Sequence, residues 1–232
     1  VVQGSASAQT SLGMLYLTGQ GVPQDYTMAR LWWEKAAAQG DATAQSNLGL
    51  LYYNGQGVSK DYTKARQWWE QAVVQGSASA QTSLGMLYHT GQGAPQDNTM
   101  ARLWWEKAAA QGLAQAQVNL GLLYHNGLGV IQEYVMAREW YEKAAAQGDA
   151  TAQNNLGLLY RHGLGVPQDY LTARQWYEKA AAQDDAKTQV NLGGLYYKGQ
   201  GVQQDYTKAR QWFEKAAVQG YADAQIFLGY LY

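Results

Sequence analysis

The sequence predicts an all-α solenoid built from 36-residue repeats of two helices each. A Leu-Gly pair recurs every 36 residues from Leu12-Gly13 onward, and a tryptophan recurs with the same period from Trp32 onward. No insertion or deletion interrupts the period, which is typical of stacked repeats that each contribute one supersecondary unit. Each repeat also contains two segments with the apolar periodicity of a helix.

We expect one solenoid over residues 1–232, with six full repeats and the start of a seventh. Residues 1–4 repeat the sequence of 73–76, the end of a second helix, so we expect the chain to be a piece of a longer protein. The predicted repeats are 5–40, 41–76, 77–112, 113–148, 149–184 and 185–220, followed by the partial repeat 221–232.

The composition excludes several classes of function. The formal net charge is −1 and no extended run of basic residues is present, which argues against binding of nucleic acid through its phosphates. No apolar run approaches the roughly 18 residues that span a bilayer. There are no cysteines, so disulfides, thiolate zinc sites and a cysteine nucleophile are excluded.

In the second repeat, the first helix is predicted over roughly 42–53, with Leu48 and Leu51 on its apolar face. Asp41 precedes the helix and can accept hydrogen bonds from its free N–H groups. Gly49 lies inside the helix, where glycine costs about 1 kcal/mol relative to alanine. Because this cost recurs in every copy, we predict a helix crossing too close for a Cβ atom. Ser77, Asp149 and Asp185 take the place of Asp41 in other repeats.

Gly55 and Gly57 form the connection between the helices, since glycine allows the positive φ angles of a tight reversal. A phosphate-binding loop would also need a preceding strand, which is missing. The second helix is predicted over roughly 61–75 and carries Trp68 and Trp69, which we expect to be core residues. We expect this helix to be buried on two sides, against its own partner and the next repeat. The residues that precede the second helices and can cap their free N–H groups are Asp25, Asp61, Asp97, Glu133, Asp169 and Asp205.

A glycine in the left-handed conformation is expected to end each second helix, as at Gly40. Asp184 replaces this glycine in the fifth repeat, so we expect a looser junction there. The other members of the series are Gly76, Gly112, Gly148 and Gly220.

The pattern Ala-x-x-x-Leu-Gly-x-x-Tyr-x-x-Gly-x-Gly-Val, followed by Asp-Tyr-x-x-Ala-x-x-Trp, resembles the Sel-one-like repeat (SLR) family, a relative of the tetratricopeptide repeats. The resemblance implies a right-handed α/α superhelix whose first helices line the concave face. It also implies a scaffold or adaptor for protein complexes, of bacterial origin, and on the same basis we expect a periplasmic or secreted location. The second repeat carries the pattern at Ala44, Leu48, Gly49, Tyr52, Gly55, Gly57, Val58, Asp61, Tyr62, Ala65 and Trp68.

No residue pattern indicates catalysis. Arg30 precedes Glu34 by four residues and the same pair occurs in six repeats, so we interpret these pairs as ion pairs on the helix surface. His89 and His125 occupy equivalent positions in adjacent repeats, on the order of 10 Å apart, which is too far to share a metal ion. We therefore predict no catalytic residue, no metal site and no cofactor, and the chain is predicted not to be an enzyme.

Positions that vary between repeats lie on the first helices, away from the apolar stripe, and we predict that they form a ladder that binds a peptide or protein. Asparagine both donates and accepts, so an asparagine row could hold an extended peptide backbone, with rings and cations alongside to give specificity. A solvated helix face is the alternative interpretation. The predicted site residues are Asn47, Tyr53, Asn54, His89, Asn119, His125, Asn126, Asn155, Arg161, His162, Asn191, Tyr197 and Lys198.

Charge is uneven along this ladder, because Arg161, Lys187 and Lys198 all occur late in the chain. We expect a partner to place an acidic or C-terminal carboxylate near repeats five and six. The sequence thus predicts a non-enzymatic scaffold that binds a peptide or protein partner, with no nucleic acid and no membrane insertion. A structural spacer or accessory module of a larger protein is the alternative, and carbohydrate binding ranks last because the ladder lacks carboxylates. End-to-end self-association is also expected, since Ile226, Phe227 and Tyr230 make the partial repeat apolar.

Overall fold

The computed structural model describes residues 4–231, which contain thirteen α-helices and no strand. Each repeat is a pair of helices, as predicted, and the helix bounds lie close to the expected ones. The first helices are α1 (Ala6–Thr18), α3 (Ala42–Asn54), α5 (Ala78–Thr90), α7 (Ala114–Asn126), α9 (Ala150–His162), α11 (Ala186–Lys198) and α13 (Ala222–Gly229). The second helices are α2 (Tyr26–Ala37), α4 (Tyr62–Val74), α6 (Asn98–Ala110), α8 (Tyr134–Ala145), α10 (Tyr170–Ala181) and α12 (Tyr206–Val218).

The chain forms two compact units, one up to Ala116 and the other from Gln117. The first unit contains α1 to α6, the second contains α8 to α13, and the boundary falls within α7. Ile226 and Tyr230 in the second unit are 55% and 71% exposed. Self-association through these side chains stays a prediction, which light scattering over a concentration series would test.

The second helix α4 is buried on two sides, as predicted. In the first unit, a Cβ atom built on Gly49 of α3 would lie 2.3 Å from Nε1 of Trp69 on α4, so the glycine permits this helix crossing. The same Trp69 belongs to a buried cluster with Leu84 and Leu87 of α5, the first helix of the next repeat. Trp69 therefore joins its own repeat to the next one.

The tryptophan pairs divide between core and surface, which corrects the expectation that both members are core residues. Trp33 and Trp69 are 1% and 3% exposed. Trp32 is only half-buried, and its outer face is covered by Lys35, whose Nζ lies 4.4 Å from the ring centroid. The same cation–π arrangement recurs for Trp104, Trp140, Trp176 and Trp212.

The helix caps agree with the sequence except at Glu133. Asp61 accepts a hydrogen bond from the Lys64 N–H at 2.9 Å, and Asp41 accepts one from the Ala44 N–H at 2.7 Å. The Glu133 side chain makes no hydrogen bond to α8, because its extra methylene group carries the carboxylate away from the free N–H groups. The other aspartates of the second-helix series, Asp25, Asp97, Asp169 and Asp205, all cap.

Asp184 keeps the left-handed conformation of the glycines that it replaces, with φ at 61° compared with 88° for Gly148. After the glycine, the Asp149 amide donates to the Ala144 carbonyl at 3.2 Å. The equivalent bond from the Asp185 amide is missing within the described chain. The junction keeps its conformation with one hydrogen bond fewer, and its expected looseness stays a prediction.

Candidate functional site

The recurring Arg–Glu pairs are surface ion pairs, as predicted. The N···O distances range from 2.6 Å for Arg30–Glu34 to 3.6 Å for Arg174–Glu178. Both partners in each pair are partly exposed, so each contributes a few tenths of a kcal/mol at most. None of the six copies differs from the rest in a way that catalysis would require.

The three histidines belong to the first-helix face. His89 Nδ1 lies 2.8 Å from Oδ1 of Asn98, and its ring centroid is 5.6 Å from that of Trp105. The His125 ring packs edge-on against Tyr134 at 5.4 Å. In the part of the chain that the structure describes, no three acidic or histidine side chains are grouped closely enough to hold a metal ion.

The asparagine row of the predicted site is less accessible than expected. Asn119 and Asn155 are each only 6% exposed, which corrects their assignment to an open surface. Asn191 donates through Nδ2 to Oδ1 of Asn154 in the preceding repeat at 2.9 Å, because the row lies where consecutive first helices approach each other. The Nδ2 atoms of Asn47 and Asn155 are buried without a hydrogen-bond partner. Either amide could donate to a bound chain only if its side chain rotated outward.

The second predicted row packs mostly on the second helix of its own repeat. The Tyr53 ring centroid is 5.2 Å from that of Tyr62, and Tyr197 makes the equivalent contact in the sixth repeat. Arg161 occupies this row in the fifth repeat and lies near Tyr177. Burial raises the pKa of Tyr177 to about 12, and the Arg161 guanidinium opposes that rise. The rings of Tyr53 and Tyr197 are half-buried, so only their outer edges could contact a partner.

The third predicted row is exposed, in agreement with its predicted accessibility. Asn54, Asn126, His162 and Lys198 all lie at the C-terminal ends of first helices. Asn126 donates to the Leu122 carbonyl of its own helix at 2.9 Å, a local bond that a partner could replace. Their contribution to binding stays a prediction.

An exposed apolar row, which the sequence reasoning missed, runs beside the asparagines. Leu50 is 45% exposed and Leu122 is 37% exposed, although both lie on first helices one residue away from the buried stripe. The sequence contains a signal for this row, because the position is apolar in six of the seven repeats and is a glycine, Gly194, in the other. The exposed members of the row are Met14, Leu50, Leu122 and Tyr230, and its half-buried members are Met86 and Leu158.

A cavity of about 160 Å³ opens on this face between α3 and α5 of the first unit. Leu50 and Met86 stand on its two sides, and the indole of Trp69 reaches it from the second helix. Interfaces commonly anchor one apolar side chain in a pocket of this kind. Its remaining lining residues are Tyr53, Thr82 and Ser83.

Basic groups influence one another on the first-helix face of the second unit. Burial lowers the pKa of His162, and the charges of Arg161 and Lys198 lower it further. Burial is also the main cause of the lowered pKa of His125, and Lys187 adds to that effect. His162 therefore lies close enough to Arg161 and Lys198 to interact electrostatically, and His125 lies close enough to Lys187.

In each full repeat, a contact between a glycine and an aromatic ring joins the two helices, and the first helix has an exposed face. These features define an all-α repeat solenoid. The model of the Sel1 repeat family matches residues 6–41, 42–77, 78–113, 114–149, 150–185, 186–221 and 222–232. The chain belongs to the Sel1 repeat family, which confirms the SLR resemblance. Proteins of this family are generally protein-interaction scaffolds on a non-catalytic fold.

Solved structures of bacterial proteins share this fold. The chain is 43% identical to a protective antigen of uropathogenic Escherichia coli that displays an SLR fold, with a TM-score of 0.87 over 98% of this chain and 49% of that one. It therefore spans about half the length of that protein. A Sel1 repeat protein from Oxalobacter formigenes is 35% identical, with a TM-score of 0.85 over 92% of this chain and 86% of that one. An immunity protein from Pseudomonas aeruginosa shares the fold at 22% identity, with a TM-score of 0.60 over 94% of this chain and 83% of that one.

A comparison with curated protein sequences found no match. Across residues 4–231, every helix is too short or too polar to cross a membrane.

Proposed function

We propose that the chain is a non-enzymatic scaffold that binds an extended segment of a partner protein across its first-helix face. The observation that carries this proposal is the cavity between α3 and α5, flanked by the exposed side chain of Leu50 and the half-buried side chain of Met86. An apolar side chain of the partner would enter the cavity and contact Trp69. Full burial of one such side chain contributes about 1.5–3 kcal/mol, so further contacts along the segment must add to it.

Polar groups on both sides of the apolar row would fix the orientation of the bound segment. Asn54 is exposed on one side, and Ser83 lies in the cavity wall on the other. Asn47 would rotate to offer its unpartnered amide to the bound backbone. Ligand sites commonly combine an apolar lining with a few polar groups that fix the orientation of the ligand.

Photo-crosslinking tests this proposal with a control in the same unit. A benzoylphenylalanine residue is placed at Leu50 on a first helix or at Leu103 on the second helix α6, and the cross-linked peptides from a cell extract are mapped by mass spectrometry. Leu103 is a matched control because it is 41% exposed, close to the 45% of Leu50. We expect a discrete partner segment to be cross-linked only from position 50, and Met86→Glu to abolish that product.

Equal cross-linking from both positions, or none from either, would contradict the proposal. The face would then be a solvated surface, and a spacer within a larger protein would be the better description. Circular dichroism of each variant confirms that the fold is kept, so a lost cross-link reports the surface itself.

A further inference from the structure

Nearly every cation in this chain is paired within its own repeat. Six arginines form ion pairs with glutamates, and Lys64 and Lys208 do so with aspartates. Six more lysines lie over tryptophan or tyrosine rings. Of the seventeen lysines and arginines, only three have neither kind of partner within residues 4–231: Arg161, Lys187 and Lys198.

All three lie on the first helices of repeats five and six. Lys187 and Lys198 are eleven residues apart on α11, which places them on the same side of the helix, roughly 16 Å from each other. Asn191 lies between them on that side. The nearest carboxylate in sequence, Asp185, is already engaged as the cap of α11 through the Thr188 amide. We call Arg161, Lys187, Asn191, Gly194 and Lys198 the basic stripe.

Gly194 gives the basic stripe an opening that the other repeats lack. A leucine or methionine fills the equivalent position in each earlier repeat, as at Leu158. A Cβ atom built on Gly194 would meet only Arg161, with Nη2 at 4.0 Å, so no packing contact requires glycine there. Glycine inside a helix costs about 1 kcal/mol relative to alanine, and here that cost leaves free space beside a guanidinium group.

We propose that the basic stripe binds an acidic peptide segment, with carboxylates placed against Arg161, Lys187 and Lys198 and the backbone lying over Gly194. This inference rests on the proposed function, because it specifies the chemistry of the segment that the second unit accepts. The roughly 16 Å between Lys187 and Lys198 corresponds to about five residues of extended chain. Three cations in a chain of net charge −1 suit a few carboxylates, whereas nucleic acid binding relies on many phosphate contacts.

The lowered pKa values of two histidines give separate support for the same site. His162 is exposed and lies close enough to Arg161 and Lys198 for their charges to lower its pKa. Lys187 has the same effect on His125. Positive groups that repel one another in this way are relieved when an anion binds between them.

Fluorescence anisotropy with a labelled, amidated hexaglutamate peptide tests the inference, with hexaglutamine as the uncharged control. The full chain is compared with the triple variant Arg161→Glu, Lys187→Glu, Lys198→Glu. The matched control is Lys143→Glu, Lys179→Glu, Lys215→Glu, which changes the net charge equally but alters lysines that lie over rings on second helices of the same unit. We expect the stripe variant to lose roughly tenfold or more in affinity and the control to lose much less.

A second variant does not depend on charge. Gly194→Leu installs the type of side chain found in the other repeats, so the fold should be kept while the space beside Arg161 is filled. We expect the affinity for hexaglutamate to fall and the thermal midpoint to stay the same or rise. Unchanged affinity in Gly194→Leu would overturn the role of the opening.

Equal losses in the two triple variants, or binding of hexaglutamine as tight as that of hexaglutamate, would overturn the inference. It would also be overturned if phosphatidylserine vesicles or single-stranded DNA bound the stripe and the peptide did not. A peptide with a free C-terminal carboxylate distinguishes terminal from side-chain carboxylates, and we expect the amidated form to bind comparably. The cross-linking from Leu50 tests the first unit and the hexaglutamate titration tests the second, so a failure of one proposal can be distinguished from a failure of the other.

Discussion

At the residue scale, the contact between a helix glycine and an aromatic ring sets the distance between the two helices of a repeat. The indole of Trp69 lies where a side chain on Gly49 would be, and its Nε1–H donates to the Ser46 carbonyl at 3.0 Å. The ring is therefore held by packing and by a hydrogen bond. Tyr141 and Phe213 take the place of the indole in the second unit, opposite Gly121 and Gly193.

Gly49→Ala is expected to destabilise the fold by about 1–3 kcal/mol, because the new methyl group displaces the Trp69 ring and strains its hydrogen bond. Gly229→Ala is the matched control, since a Cβ atom at Gly229 would meet nothing within 4 Å. That change should be neutral or slightly stabilising, as helix propensity favours alanine. Urea unfolding followed by circular dichroism measures both. Equal destabilisation by the two variants would show that the close crossing is unimportant.

At the scale of the helix, one capping residue differs from its counterparts in the other repeats. Glu133 has an extended backbone conformation like that of Asp61, with φ near −148° in both, but its carboxylate does not reach the helix N–H groups. The start of α8 therefore lacks a side-chain bond that the other second helices have.

Glu133→Asp is expected to stabilise the chain by on the order of 1 kcal/mol, because the shorter side chain restores the cap that the other repeats show. Asp61→Ala should have an effect of similar size and opposite sign. Thermal unfolding followed by circular dichroism checks both changes. If Glu133→Asp left the unfolding midpoint unchanged, the carboxylate would be capping α8 in solution already.

The sequence predicted the helix pairs, the close glycine crossing and most of the caps, because these features depend on residues near one another in the chain. It did not predict which polar row is buried, since apolar periodicity identifies the inner face of a helix but not how closely the next helix approaches. Asn155 is buried for that reason. The sequence also did not predict hydrogen bonds between the side chains of different helices, such as the bond from Gln75 Nε2 to Gln45 Oε1 at 3.2 Å, which joins residues thirty positions apart.

At the scale of the whole molecule, local pairing leaves positive charge without a partner in one region of the described residues. Carboxylates and aromatic rings engage the cations of the second helices, whereas Arg161, Lys187 and Lys198 on α9 and α11 form no ion pair and lie over no ring among those residues. A positively charged surface lowers the pKa of nearby histidines and attracts anions. Proton uptake and binding of an acidic segment should therefore be linked.

This linkage predicts that hexaglutamate binds more tightly as the pH falls from 8 to 6. In the free chain, burial and the charges of Arg161 and Lys198 hold the pKa of His162 below its usual value of 6.5. Bound carboxylates offset those charges and raise the pKa, so the complex takes up protons that the free chain does not. A rise of one unit in the pKa of His162 would strengthen binding by about tenfold at most. The carboxylates of the peptide stay ionised throughout this range, so their own titration does not produce the change.

The stability of the free chain should change in the opposite direction. The unfolded chain binds a proton at His162 more readily than the folded chain does, so unfolding becomes easier as the pH falls below about 6.5. His162→Gln should remove most of the pH dependence of binding, whereas His89→Gln, in the first unit, should leave it unchanged. Anisotropy titrations at pH 6, 7 and 8 make the comparison. The same pH dependence in both variants would mean that the protons are taken up elsewhere, and that His162 does not sense the bound carboxylates.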